Sequence, residues 1–147
     1  MWKLRQAVFA AFISAGPAYA GMFSQFVVFG DSLSDNGNAY IGTGGATPAP
    51  PLYTVGRFTD GPDTVPAGTA GGIWHEALSG LLGEPVASPF LLGGTNYAVG
   101  GAKVLPGDPV IPSLAQQVAI ALTASGGHAD PMRCMCFGEG RTISTGL

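Results

Sequence analysis

The chain has 147 residues, 46% of them hydrophobic and 10% charged, with a formal net charge of −3. That length holds at most one modest domain, and that balance of apolar to charged residues excludes a disordered chain. The 6 Lys plus Arg form no basic stripe, which excludes a nucleic-acid partner. The two cysteines, Cys134 and Cys136, have neither the spacing nor the partners of a zinc site and cannot form a disulfide framework.

At the start, Lys3 and Arg5 precede an apolar run from Ala7 to Ala15, then Gly16-Pro17 and the small-x-small end Ala18-Tyr19-Ala20. This is the pattern of a secretory signal peptide over residues 1–20, cleaved after Ala20. Its apolar run falls short of the roughly 18 residues a membrane span needs. The mature chain is therefore expected to begin near Gly21 and to be secreted, periplasmic or at the cell surface.

No fixed-period repeat is present. Phe26 to Phe29 is a short continuous apolar run closed by Gly30, the pattern of a strand buried on both faces of a parallel sheet. Ala39 to Gly72 is dominated by Gly, Pro, Thr and Ala and reads as a long surface loop. Ile73, Trp74, Ala77, Leu78, Leu81 and Leu82 have helical spacing, with Gly83 as a stop. Thr95 to Ala102, TNYAVGGA, predicts a short strand followed by two glycines that permit close backbone approach. A last helix is predicted from Ser113 to about Ala124. Ser113 and Gln116 make its capping box, Leu114, Val118 and Leu122 its apolar stripe, and Gly126-Gly127 its end. Strand, loop, helix, strand, helix is the start of an α/β domain.

Ser32 lies two residues beyond the first strand, in a turn freed by Gly30. Ligands of open α/β sheets bind at the carboxyl ends of strands, so the position suits a nucleophile. Asp31, Ser32, Ser34, Asp35, Asn36 and Gly37 are equally the residues that make turns and cap helices.

The wider pattern favours the nucleophile. VVFGDSLSDNGN resembles the first block of the GDSL lipase and esterase family, the SGNH hydrolases. GRFTDGP at Gly56 to Pro62, GGIWHEALSGLLG at Gly71 to Gly83 and GGTNYAVGGA at Gly93 to Ala102 are similar to the segments that follow in secreted members, in the same order. The resemblance implies a flavodoxin-like three-layer α/β/α SGNH-hydrolase fold, incomplete here with only its first strands and helices. It implies an ester hydrolase, a lipase or esterase, acting on small-molecule or lipid esters with no metal or organic cofactor. Ser32 would be the nucleophile and its N–H one oxyanion donor. Gly101 would give another, with Gly100 as the alternative, and Asp31 would support the turn by hydrogen bonds.

The chain departs from the family in its second half. The Gly-x-Asn-Asp motif that should complete the oxyanion hole and the late Asp-x-x-His that should supply the base and its orienting acid are missing. His75, inside the predicted helix, and His128, in a polar loop, read as surface or packing histidines. From Met132 to Leu147, MRCMCFGEGRTISTGL, strand and helix periodicity are lost. One permitted back-translation of this tail, read one base out of phase, gives Asn-Ala-Leu-Tyr-Val-Phe-Trp-Gly-Gly-Ala-Asn-Asp, an apolar strand running into the missing motif. Residues 21–131 thus read as the N-terminal part of the hydrolase domain, and residues 132–147 as an out-of-frame or disordered tail. The sheet is expected to have an unpaired apolar edge. Loss of the histidine alone costs a serine protease about 10⁶ in kcat, so the chain is expected to be nearly inactive. The reading from a different class is an exported, non-catalytic, Gly-rich binding or surface module, or a remnant, in which the loop from Ala39 to Gly72 engages a partner. Within the enzyme class, a further reading is an esterase passenger joined to a C-terminal outer-membrane autotransporter barrel.

Overall fold

The computed structural model describes residues 23–58, 72–128 and 133–138. The predicted signal peptide, and the tail beyond residue 138, lie outside the described residues. Strand β1 spans Gln25–Gly30, helix α1 Asn38–Gly42, helix α2 Trp74–Leu82, helix α3 Leu114–Ala124 and strand β2 Arg133–Gly138, with a 3₁₀ turn at Phe90–Leu92.

β1 is buried on both faces, as its continuous apolar run predicts. Phe26 and Val28 pack with Ala87 against Leu78 and Leu82 of α2. Val27 and Phe29 pack with Tyr97 against Leu114, Val118 and Ala121 of α3. Alternate residues of a strand point to opposite faces, so one six-residue element seeds two apolar clusters. Each fully buried side chain of this size contributes about 1.5–3 kcal/mol.

Both edges of β1 are covered. β2 runs parallel to it on one side, from Gln25 opposite Arg133 to Gly30 opposite Gly138. On the other side Val28 forms a parallel bridge with Asn96. There Val28 N–H donates to Thr95 O at 3.0 Å, Tyr97 N–H to Val28 O at 2.7 Å and Val99 N–H to Gly30 O at 3.2 Å. The predicted segment at 95–102 is thus extended and paired, although only as an isolated bridge. The fold is mixed α/β with a small parallel sheet, and helices lie on both faces of its central strand.

Four expectations need correction. The tail does contain a strand: Arg133–Gly138 covers the edge of β1 expected to be unpaired. Its sequence, RCMCFG, does not alternate, so period alone did not mark it, and Phe137 stacks on Phe29 at 5.1 Å while remaining 55% exposed. The loop from Ala39 to Gly72 is not structureless at its start, where α1 forms, and Arg57 is completely buried. The inner face of α2 is only partly apolar: Ile73, Leu78 and Leu82 face the core, but His75, Glu76 and Ser79 are buried beside them, whereas Leu81 is 81% exposed. These polar groups are buried because partners outside the helix satisfy them, which helical periodicity cannot show. In α3 the third stripe position is Ala121 and not Leu122, which is partly exposed. The α3 capping box forms as predicted, with Ser113 N–H donating to Gln116 Oε1 at 2.8 Å and Gln116 N–H to Ser113 Oγ at 3.4 Å. α2 ends at Gly83 in the left-handed region, φ 71°, as expected of that stop.

Candidate active site

β1 ends at Gly30, where the backbone turns. A Cβ on Gly30 would collide with the carbonyl oxygen of Gly138, so only glycine lets β2 approach this closely. Asp31 shapes the turn that follows: its carbonyl accepts the N–H groups of Ser34 and Asp35, each at 3.0 Å, and its Oδ1 accepts the Leu33 N–H at 3.0 Å. Ser32 sits half-buried within this turn. Among the described residues, neither its hydroxyl nor its N–H has a hydrogen-bond partner.

The position has a topological meaning. From β1 the chain passes through α2 to the extended segment at 95–99 on one edge, then through α3 to β2 on the other edge. The chain therefore leaves β1 toward one edge and next crosses over to the other, and in open α/β sheets such a reversal of connection opens a crevice at the carboxyl ends of the strands. Asp31 and Ser32 are at that end.

The two glycines of TNYAVGGA behave differently. Gly100 is buried and donates its N–H to Asp35 Oδ2 at 2.8 Å, and a Cβ on it would strike the Phe58 ring. Gly101 is exposed with φ 84°, and its N–H has no acceptor among the described residues. Gly100, the alternative to Gly101 as an oxyanion donor, has therefore already spent its N–H. Just beyond, Ile111 Cδ1 lies 3.1 Å from where a Gly101 Cβ would be, and Ile111 also lines an open groove of about 290 Å³ with Val110, Pro112, Gln116, Ala119 and Ile120.

Behind the Ser32 turn lies a buried polar cluster that sequence reasoning missed. The Asp35 carboxylate accepts N–H groups from Gly37 at 2.8 Å, Asn38 at 2.7 Å and Ala39 at 3.0 Å as well as from Gly100, and so starts α1. Burial raises its pKa above the ordinary carboxyl value, and hydrogen bonds from Gly37, Gly100, Ala39 and Asn38 oppose the shift. Asn38 donates to the carbonyls of Asn96 and Ala98, both at 2.8 Å. Asn96 donates to Ser34 O at 2.8 Å and to Asn36 Oδ1 at 2.7 Å. Asn36 reaches Ala87 O at 2.8 Å and Glu76 Oε1 at 3.3 Å. Glu76 in turn holds Arg57 through two contacts, Nη2 to Oε1 at 2.7 Å and Nε to Oε2 at 3.1 Å, with both side chains fully buried.

His75 belongs to this cluster. Its Nε2 lies 3.0 Å from Ser34 O and therefore carries the proton, which it donates to that carbonyl. Its Nδ1 is buried without a hydrogen-bond partner among the described residues. Burial lowers its pKa, outweighing the nearby Glu76 charge, so the ring is neutral at pH 7. With Nε2 committed to Ser34 O, His75 braces the turn from behind and is not poised to take a proton from Ser32. His128, the other histidine, is exposed. Among the described residues no three His, Cys, Asp or Glu side chains are placed to share a metal. A signal for the cluster was available: in a chain with few charges, Arg57 and Glu76 fall in two of the quoted blocks, GRFTDGP and GGIWHEALSGLLG.

Comparison with known protein families gives no match. Among curated proteins, a 57-residue stretch is 42% identical to the phosphatidylcholine-sterol acyltransferase of Aeromonas hydrophila. The stretch covers 39% of this chain and only 14% of that protein's length.

Proposed function

We propose that the chain carries the nucleophile half of a secreted serine ester hydrolase or acyltransferase of the GDSL kind, on the beginning of a flavodoxin-like α/β/α domain. The observation that carries this reading is the state of Ser32: at the carboxyl end of the central strand, with hydroxyl and N–H both uncommitted. In this reading its Oγ attacks the acyl carbonyl, and the N–H groups of Ser32 and Gly101 receive the charge that develops on the carbonyl oxygen. Asp31 holds the turn. The groove beside Gly101, whose lining mixes Val110, Ile111 and Ile120 with Asp108 and Gln116, takes one of the ester's chains. The similarity to a lipid acyltransferase supports an ester or lipid ester as substrate.

No group among the described residues is placed to deprotonate Ser32, so turnover by this chain is expected to be nearly absent. The test therefore reads acylation-like chemistry directly. Purified chain is treated with an alkyl fluorophosphonate, with imidazole added as an external base, and the adducts are mapped by mass spectrometry. Selective modification of Ser32, lost in Ser32→Ala, is expected. Modification spread evenly over the serines would defeat the assignment and favour an exported, non-catalytic binding module.

We further propose that residues 132–147 are read out of frame and that the neighbouring frame encodes the missing Gly-x-Asn-Asp block. In that frame a tryptophan replaces Gly138, yet a Cβ on Gly138 would already collide with Ser34 Oγ. The proposal therefore requires Ser34 to move. Sequencing the gene across Pro131 decides it, and codons that cannot yield the block in that frame end the idea.

A further inference from the structure

Val28 uses both its backbone groups on the segment at 95–99, and two residues later Gly30 should continue that ladder. It does so only in part. Gly30 O accepts the Val99 N–H at 3.2 Å, but the Gly30 N–H leaves the ladder and donates to Gln117 Oε1 at 2.9 Å. Gln117 Nε2 donates back to Gly30 O at 2.9 Å. The side-chain amide of α3 thus stands in for a strand's peptide group at the last residue of β1. Gln117 is fully buried, on the same face of α3 as Leu114, Val118 and Ala121, and its Nε2 also reaches Pro112 O at 3.2 Å. One amide ties together the strand end, α3 and the loop that walls the groove.

We infer that Gln117 is a positioning residue that sets the conformation of the turn from Gly30 to Ser32, and with it the direction of the Ser32 N–H. The inference rests on the proposed role of Ser32 for its functional meaning. Gly30 has φ 150° and no side chain to pack, so local sterics restrain it little. Two hydrogen bonds to one planar amide fix both its peptide groups. An oxyanion donor works only when aimed within a few tenths of an ångström, and misplacement by about 1 Å can cost on the order of 10²-fold in rate. A buried glutamine that served packing alone would need no donor and acceptor matched to one residue.

The experiment uses the full chain labelled with ¹³C and ¹⁵N. A through-hydrogen-bond coupling from the Gly30 amide nitrogen to the Gln117 side-chain carbonyl carbon is expected in the parent. In Gln117→Leu, Gly30 amide exchange should accelerate about ten-fold, the scale of one lost hydrogen bond, and the Ser32 amide resonance should move. In Gln117→Glu, the Gly30 and Ser32 resonances should titrate and return toward parent positions as the introduced carboxyl protonates. Only the protonated carboxyl can both accept from and donate to Gly30, and a purely packing role would not produce a pH step that the parent, in which Asp31 already lies between the two amides, does not show. Absence of the coupling in the parent, or Gly30 and Ser32 resonances that stay flat with pH in Gln117→Glu, would overturn the inference even if Gln117→Leu fails to fold. Failure of the fluorophosphonate to modify Ser32 would strike the nucleophile assignment alone and leave the amide data to judge Gln117.

Discussion

The apolar flanks of β1 and the polar cluster behind the Ser32 turn are both buried, yet they are held by opposite means. The flanks rest on non-directional contact: Phe26, Val27, Val28 and Phe29 are at most 3% exposed and fit any neighbour of suitable volume. The cluster rests on direction: Ser34, Asp35, Asn36, Asn38, Arg57, His75, Glu76 and Asn96 are at most 1% exposed and most of their polar atoms have a named partner. Apolar packing tolerates substitution in proportion to the volume lost, whereas a hydrogen-bonded cluster fails abruptly when one member leaves another unpaired. The turn that bears Ser32 is built on the second kind of support.

The sharpest way to break the comparison is Arg57→Met, which keeps apolar volume but leaves Glu76 buried without its cation. The expected loss is about 3–5 kcal/mol, seen in urea titration as disappearance of the cooperative transition. A loss below that of a single core truncation would mean the pair is dispensable. On the apolar side, Val28→Ala should cost about 2 kcal/mol and shift the midpoint without changing the slope of the transition.

Acid should separate the two regions, because among these residues only the polar cluster titrates. His75 has a folded pKa below its ordinary 6.5, so the unfolded chain takes up the proton first. Its contribution is complete above pH 6.5 and is lost as pH falls toward the folded pKa, at up to about 1.4 kcal/mol per pH unit. Asp35 acts in the opposite sense, since a raised folded pKa favours the folded state as pH falls. Gln in place of His75 can still donate to Ser34 O, so the difference in urea midpoint between the parent and His75→Gln, followed from pH 7.5 to 5, isolates the imidazole. An identical pH slope in both would remove His75 from the account. The smallest effect is expected at the α3 start, where Ser113→Ala should cost about 1 kcal/mol by thermal melting, because that cap is directional but closes within three residues and leaves no distant partner unpaired.

What could be read from the sequence follows the same division. β1, the cap and end of α3, and the Gly83 stop were legible because each depends on neighbours within a few residues or on a simple period. The Ser32 turn was legible as a turn. Its supports were not: Asn36 and Asn38 look like ordinary turn residues, but their side chains reach partners 40 to 60 residues away. The α2 stripe was misread for a related reason, since Glu76 and His75 face inward only because Arg57 and the Ser34 carbonyl are there to receive them. β2 was missed because RCMCFG carries no pattern of its own and takes its shape from β1. Which of Gly100 and Gly101 keeps an uncommitted N–H could not be read from spacing, because that depends on which one the Asp35 carboxylate takes up.

That carboxylate has a consequence for how the chain folds. Asp35 starts α1 locally, through Gly37, Asn38 and Ala39, but its fourth donor, Gly100, is 65 residues away. The Gly30 and Gln117 pairing spans 87 residues. The turn that bears Ser32 therefore cannot be finished while the first third of the chain emerges; it waits for loops of that length to close. Contacts so distant in sequence slow folding. A synthetic peptide covering only Gln25 to Gly42 is accordingly expected to show no stable turn, and the serine should acquire its geometry only in the last, slowest phase of assembly.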